Sequence, residues 1–371
     1  MTQLPKLSAR DRLLILAPHP DDECLATGGL IQRAIAAHAK VRVLFATDGE
    51  NNPWPQRVVE RKWSIQPEDR ARWGARRRRE ALLSLEYLGV PANSARFLGL
   101  PDQGITGMLL TGDERPLKML CTSLREWQPT LIVFPCSTDV HPDHSSLHVF
   151  MNLAIDREQL DPSRFSILHF VVHARGRQAP PHRVQILLTA QEKARKRDAI
   201  LCHGSQMALS KRRFVAYAKD AEIYFRPAKS ASTDAHHPVR HATIENGALN
   251  LKLHVHRTPL KGVQLFVIAE SAEAGGIRWV LPVPTTSRRV HIRDADTGEL
   301  LRLATVRVKG RDVELNLPIA SLMPLERLYV KIERRVVFFD EAGWREVPLP
   351  DREGARKEGT QMNSPRPRTP R

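Results

Sequence analysis

Two short stretches carry residues fit for chemistry: PHPDDE at 18–23 and VHPDH at 140–144, each following an apolar run, LLILA at 13–17 and TLIVFP at 130–135. Neutral imidazole and carboxylate suit a borderline divalent metal, and a catalytic zinc takes three protein ligands while keeping a fourth position for water. His19, Asp22 and His144 supply that number. Asp21 is then a carboxylate beside the ion, fit to take a proton from water whose pKa the metal lowers from 15.7 to about 7. His141 is positioned to help an oxyanion or a leaving group. The plainer alternative is a turn followed by a helix N-cap, which prolines and aspartates also favour. Two H-P-D clusters after two separate apolar runs are harder to credit to turn chemistry. A second alternative is the iron facial triad of a non-haem oxygenase, which His19-x-Asp21 with His144 imitates.

These clusters need a scaffold that brings them together. From residue 12 to about 205 short apolar runs (13–17, 41–47, 95–100, 130–135 and 165–172) alternate with helix-like segments, the pattern of β-α-β units. The expected fold class is α/β: a Rossmann-like, mainly parallel sheet with flanking helices. In such a sheet ligands gather at the carboxyl ends of strands, and adjacent strands lie about 4.8 Å apart, so both clusters can share one ion. Iron triads of the oxygenase kind commonly sit on a double-stranded β-helix instead. Thr189 with Glu192 has the spacing of a capping box.

Past residue 230 the runs become short and alternating, as in LNLKLHV, VQLFVIA, RRVHIRD and DVELNL, separated by turn-like DADTG and VKGRD. This third predicts a smaller antiparallel, sandwich-like β domain. The expected organisation is a catalytic domain at 1–228, a linker at 229–240, a β-rich accessory domain at 241–348 and a disordered basic tail at 349–371. A packing or oligomerisation role for the accessory domain is preferred over carbohydrate binding or membrane docking.

The net charge of +16 favours anionic partners. Phosphorylated substrates, acidic lipid surfaces and nucleic acid all qualify, and a basic binding protein with a non-catalytic metal site is the alternative from another class. Only 6% of the residues are aromatic and no nucleic-acid motif is present, which opposes nucleic acid. Four widely spaced cysteines argue against a disulfide scaffold, and no apolar stretch approaches the length of a spanning helix. The expectation is a cytoplasmic protein without integral membrane association, its oligomeric state open to a homo-oligomer.

PHPDDE with HPDH resembles the PIG-L/LmbE-like family of metal-dependent N-deacetylases over roughly residues 11–210. TDGE at 47–50, Arg77-x-x-Glu80, FLGLPD at 97–102 and K-x-x-A-x-x-x-H-x-S-Q at 196–206 are lesser echoes. The resemblance implies zinc, with Fe2+ as the other candidate metal, on His19, Asp22 and His144. It implies Asp21 as general base and His141 as the transition-state histidine. The implied substrate is an N-acetylglucosamine-type conjugate, with phosphate-bearing and lipid-linked forms among the options. Asp102 and Arg77 become substrate-binding candidates, although a turn former and a solvated helix face are the plain readings of those two. Glu23, His203 and Ser205 are candidates for supporting positions behind the site.

Overall fold

The computed structural model describes residues 6–174, 182–227, 237–255, 262–271, 273, 275–334 and 339–350. The first half is built on strands β1 (Arg12–Ala17), β2 (Lys40–Thr47), β3 (Ala95–Leu100), β4 (Leu131–Pro135), β5 (Ser166–Phe170), β6 (Arg183–Leu187) and β7 (Ala221–Phe225). Their order is β3-β2-β1-β4-β5-β7-β6, parallel from β3 to β5 and antiparallel at β7 and β6. β1 runs in the middle because RLLILA is apolar on both faces, as a strand covered on two sides must be. The order reverses between β1 and β4, the switch point where open α/β sheets leave a crevice.

The helices are α1 (Asp22–Ala36), α2 (Pro53–Glu60), α3 (Pro67–Tyr87), α4 (Ile105–Leu110), α5 (Glu114–Trp127), α6 (Pro142–Arg157), α7 (Ala190–Leu201) and α8 (Gly204–Val215). The two-residue strand period divides β1 between two cores. Leu13, Ile15 and Ala17 pack with Leu30 of α1, Leu85 of α3 and Ile200 of α7. Leu14 and Leu16 pack with Leu109, Leu120 and Leu147 of α4, α5 and α6. The Thr189 and Glu192 capping box opens α7, with reciprocal bonds of 3.1 and 2.7 Å.

The second half holds β8 (Val239–Glu245), β9 (Ala248–His254), β10 (Val263–Ser271), β11 (Gly275–Pro282), β12 (Arg288–Asp294), β13 (Leu300–Lys309), β14 (Asp312–Pro318), β15 (Leu325–Arg334) and β16 (Arg345–Glu346). They form one antiparallel sheet ordered β16-β15-β10-β11-β12-β13-β14-β9-β8. The expected sandwich is therefore a single sheet that curls around its own core of Leu251, Val267, Leu281, Ile292 and Leu315. Its two ends approach, and the Arg345 guanidinium donates to the Val239 carbonyl. Accumulated strand twist drives the curl, and near-closure hides the edges. The linker expected at 229–240 falls largely outside the described residues, and Val239 and Arg240 already belong to β8. The expected tail lies outside the described residues from 351 onward.

The two sheets meet through α6, which is buried along nearly its whole length because it has a sheet on either side. Phe266, Ile268, Tyr329 and Trp344 of the second half join Phe150 and Met151 in one core, so β10 is apolar on both faces. Arg327 pairs with Asp156 at the end of α6 (2.7 Å). Among the described residues no helix is long and apolar enough to cross a membrane.

This burial has a pH consequence. His148 of α6 and His169 of β5 lie ring to ring at 4.8 Å, both buried. Burial holds the His148 imidazole down at about 4 and His169 well below its usual range. Both fold as neutral rings, so the stability they depend on is full above about pH 6.5 and is lost as pH falls toward 4. For His148 the loss reaches about 3 kcal/mol at most. Urea unfolding at pH 7 and pH 5 checks this. The fall in midpoint should be smaller in His169→Leu, and an equal fall in both proteins refutes the assignment.

Candidate metal centre

The β1–β4 ladder aligns Leu13 with Leu131 and Ile15 with Val133, so the chains leaving both strands emerge at one edge of the sheet. After β1 the backbone turns sharply: Asp21 takes φ 136°, a conformation costing on the order of 1–3 kcal/mol for a non-glycine residue. It is held there from two sides. Its N–H donates to Glu23 Oε2 (2.9 Å), and its carbonyl accepts from Cys24 and Leu25 at the start of α1. Asp21 stands at the N-cap yet makes no side-chain cap bond, which leaves its carboxylate for other use.

Three donor atoms face one another. His19 Nδ1 lies 3.3 Å from Asp22 Oδ2 and 3.3 Å from His144 Nε2, and the third edge, His144 Nε2 to Asp22 Oδ2, is 3.2 Å. Tetrahedral zinc with bonds of about 2.0–2.1 Å spaces its ligand atoms about 3.3–3.4 Å apart, so this triangle fits one face of a zinc tetrahedron. The outer ring nitrogens are engaged as metal-ligating histidines require. His144 Nδ1 donates to Asp139 Oδ2 (3.1 Å), and His19 Nε2 lies 3.2 Å from Asp102 Oδ1 and 3.4 Å from Asp143 Oδ2. Each inner nitrogen is thereby left with its lone pair toward the triangle.

Electrostatics point the same way. Asp21, Asp22, Glu23, Asp102, Asp139 and Asp143 are all buried, a concentration of negative charge that calls for a cation. Burial pulls the His144 imidazole down, but the Asp22 and Asp139 carboxylates more than offset it and raise it to about 9. His19 is likewise raised against burial by Asp102, Asp143 and Asp22. The same carboxylates favour a metal ion at those nitrogens. Burial raises Asp21 to about 6, with Arg77 opposing and Asp22 adding to the shift. His141 goes the other way, its pKa pushed well down by burial and by the neighbouring His19 and His144. His141 Nδ1 accepts the Asp143 N–H (3.2 Å), so in the neutral ring the proton resides on Nε2.

The other expected residues are placed as follows. Asp102 is buried at the centre against His19, its Oδ2 accepting from the Asn51 N–H (2.8 Å). The solvated face expected of Arg77 gives way to a buried guanidinium that donates to Gly49 O (2.8 Å), Pro20 O (2.7 Å) and Asp21 Oδ2 (3.0 Å). It faces Gly49, where φ is 64° and a Cβ would come 1.7 Å from its Nη1. Arg77 thus clamps the turn that carries Asp21. Glu23 joins the Asp21 backbone to His203 Nε2 (2.9 Å) and Ser84 Oγ (2.8 Å), while Ser205 Oγ donates to Glu80 (2.5 Å) one layer farther back. Arg77→Met should cost about 3–5 kcal/mol of stability by leaving Asp21 unpaired. Arg77→Lys, lacking the planar fork, should recover only part of it. Thermal or urea unfolding reads this, and a wild-type midpoint in Arg77→Met contradicts the clamp.

Sequence reasoning passed over Asp139, Asp143, His173 and Phe339. A search for an acid behind each candidate ligand histidine finds the first two, which sit inside DVHPDH. His173 leaves the end of β5 as β1 and β4 release their clusters, and its ring lies 5.0 Å from that of His144. Phe339 comes from the far half of the chain and has no sequence signal. Asp21 Oδ2 turns to Arg77 while Asp22 Oδ2 faces both histidines, so the triangle is not the His19-x-Asp21 triad of the iron alternative.

Residues 14–155 match the family described as PIG-L: GlcNAc-PI de-N-acetylase. Over this segment the chain is similar to that family. The segment runs from β1 into α6 and contains His19, Asp21, Asp22, His141 and His144. The chain is also similar to proteins named 1D-myo-inositol 2-acetamido-2-deoxy-alpha-D-glucopyranoside deacetylase. With that of Rhodococcus jostii it is 32% identical over 161 residues, 39% of this chain and 53% of the relative. With that of Mycobacterium avium (strain 104) it is 34% identical over 148 residues, 36% and 47% of the two chains. The chain thus spans about half the length of the curated relatives it matches. Among solved structures, a conserved protein of Thermus thermophilus aligns at 22% identity and TM-score 0.43, covering 59% of this chain and 96% of that one. A deacetylase of teicoplanin biosynthesis aligns at 20% identity and TM-score 0.45, covering 59% and 100%. The second sheet lies outside the PIG-L match.

Proposed function

We propose that the protein is a zinc-dependent hydrolase that removes the N-acetyl group from an N-acetylglucosamine-type conjugate. The observation that carries this reading is the His19–Asp22–His144 triangle with the Asp21 carboxylate beside it. The PIG-L match and the names of the curated relatives support the amide and amino-sugar chemistry. His19 Nδ1, Asp22 Oδ2 and His144 Nε2 would hold the ion, which when bound supplies Lewis acidity and a lowered pKa for water.

Asp21, clamped by Arg77 and raised toward about 6, takes a proton from the attacking water. The His141 Nε2–H donates to the oxygen of the acetyl carbonyl as it becomes an oxyanion, oriented by the Asp143 backbone N–H at its other nitrogen. Asp21 then returns the proton to the departing amine. Asp102, at the centre and bonded to the Asn51 N–H, would accept from a sugar hydroxyl. The charge of +16 supports an anionic conjugate.

The test is a panel of neutral, phosphate-bearing and lipid-linked N-acetylglucosamine conjugates, with free primary amine read before and after chelation. Zinc and Fe2+ are each added back. Amine release that chelation abolishes and zinc restores supports the reading, while restoration by Fe2+ alone keeps the hydrolase and replaces zinc as its metal. Metal-replete protein that releases no amine from any conjugate overturns it.

A further inference from the structure

The second sheet reaches the metal centre through residues 339–344, between β15 and β16. The Asp340 N–H donates to the carbonyl of Val140, the residue before His141 (3.0 Å). At Gly343 the approach is tighter: a Cβ would come 1.8 Å from Ser137 O, 2.8 Å from Asp139 O and 2.8 Å from Ser145 Cβ, so glycine alone fits there. Trp344 is fully buried and donates from Nε1 to Ser146 Oγ on α6 (3.1 Å). Behind it the fully buried Lys331 of β15 pairs with Asp340 (2.6 Å), its Nζ 5.6 Å from the centre of the Trp344 ring. The stretch is therefore fastened at its backbone, at its tryptophan and at its acid.

At its head, Phe339 sets its ring 5.7 Å from that of His141, edge to face at 77°, and 5.3 Å from that of His173. Among the described residues, the side chains that meet around His19 and His144 are carboxylates and imidazoles, with the Arg77 guanidinium beside Asp21. Among the described residues, Phe339 is the one phenyl ring in contact with His141 and His173. A sugar carries hydroxyls that need polar partners, whereas an acyl methyl needs apolar surface near the oxyanion donor. We infer that Phe339 is the acyl wall of the site, a specificity-determining residue supplied by the second sheet that receives the acetyl methyl and limits the length of the acyl chain. This rests on the deacetylase reading above. It gives the second sheet a part in substrate selection rather than the packing role expected from sequence.

The test compares kcat/KM of the full chain, zinc-loaded, on N-acetyl, N-propionyl and N-butyryl forms of one glucosamine conjugate. The wild type should lose about tenfold or more per added methylene. In Phe339→Ala the butyryl-to-acetyl ratio should rise by at least about tenfold, with Phe339→Leu between the two. Gly343→Val, which forces the stretch off the 137–145 loop, should move the ratio the same way. Zinc content and melting temperature report folding, and if the alanine variant does not fold, the leucine variant carries the comparison. A wild type that releases amine, with ratios in the folded variants unchanged within about twofold, overturns the acyl wall alone. A wild type inert toward every N-acyl conjugate overturns the deacetylase reading and the wall with it.

Discussion

Asp21→Asn protein should keep its metal and release amine roughly 10³-fold more slowly than the wild type, within the 10²–10⁴ span of general acid–base catalysis. The substitution preserves shape, so the φ 136° turn, the Glu23 contact to the Asp21 N–H and the ligand triangle should persist. What disappears is the proton acceptor, since an amide has no basic oxygen at neutral pH. KM should move little and kcat should carry the loss. Asp21→Asn also leaves Arg77 facing a neutral amide, so a modest fall in melting temperature is expected alongside. Metal content measured on the same preparations separates the two roles. A variant that loses its metal as well as its turnover places Asp21 among the ligands, and one that turns over at the wild-type rate removes it from the mechanism.

The readability of the fold followed the cleanness of the local pattern. The runs at 13–17, 41–47, 95–100 and 130–135 are short, apolar and flanked by helical segments, and they became β1 to β4 with ends moved by a residue or so. α2 and α4 carry little periodic signal, being short, proline- or glycine-bounded and packed only in part. β6 and β7 join as an antiparallel pair at the sheet edge, each only five residues long and so a short signal in sequence. In the second half the strands were legible but their arrangement was not. Alternation marks which residues of β9 or β14 face a core, and the same alternation serves a sandwich or a curled sheet. The site divides along the same line. His19, Asp22 and His144 were visible because each lies between the end of a central strand and the first turn of the helix that follows it, a position that topology turns into proximity. Arg77 lies in the run Arg76–Arg79, and nothing local distinguishes the one fully inward guanidinium from its half-buried and exposed neighbours. Phe339 is about 200 residues from His141 in sequence and meets it only because α6 is shared between two sheets.

His144→Ala should lose the metal, because it removes one of three ligand atoms and leaves His19 Nδ1 and Asp22 Oδ2 to bind alone. Changes to an outer partner typically cost 10–100-fold in metal affinity, and loss of a ligand should exceed that range. Asp139→Asn supplies the graded comparison. It keeps a group that can accept from His144 Nδ1 but removes the negative charge there, along with part of what Asp139 does for the Val172, His173 and His141 N–H groups. Its affinity should fall by about 10–100-fold while the site still fills at high zinc. Competition against a chromophoric chelator measures both without requiring turnover. The order wild type, Asp139→Asn, His144→Ala is the decisive result. If His144→Ala binds zinc as tightly as the wild type, the ion sits elsewhere among the buried carboxylates and the triangle is only a hydrogen-bonded cluster. If Asp139→Asn matches the wild type while His144→Ala fails, the triangle stands and Asp139 serves the backbone of the 172–173 turn rather than the metal.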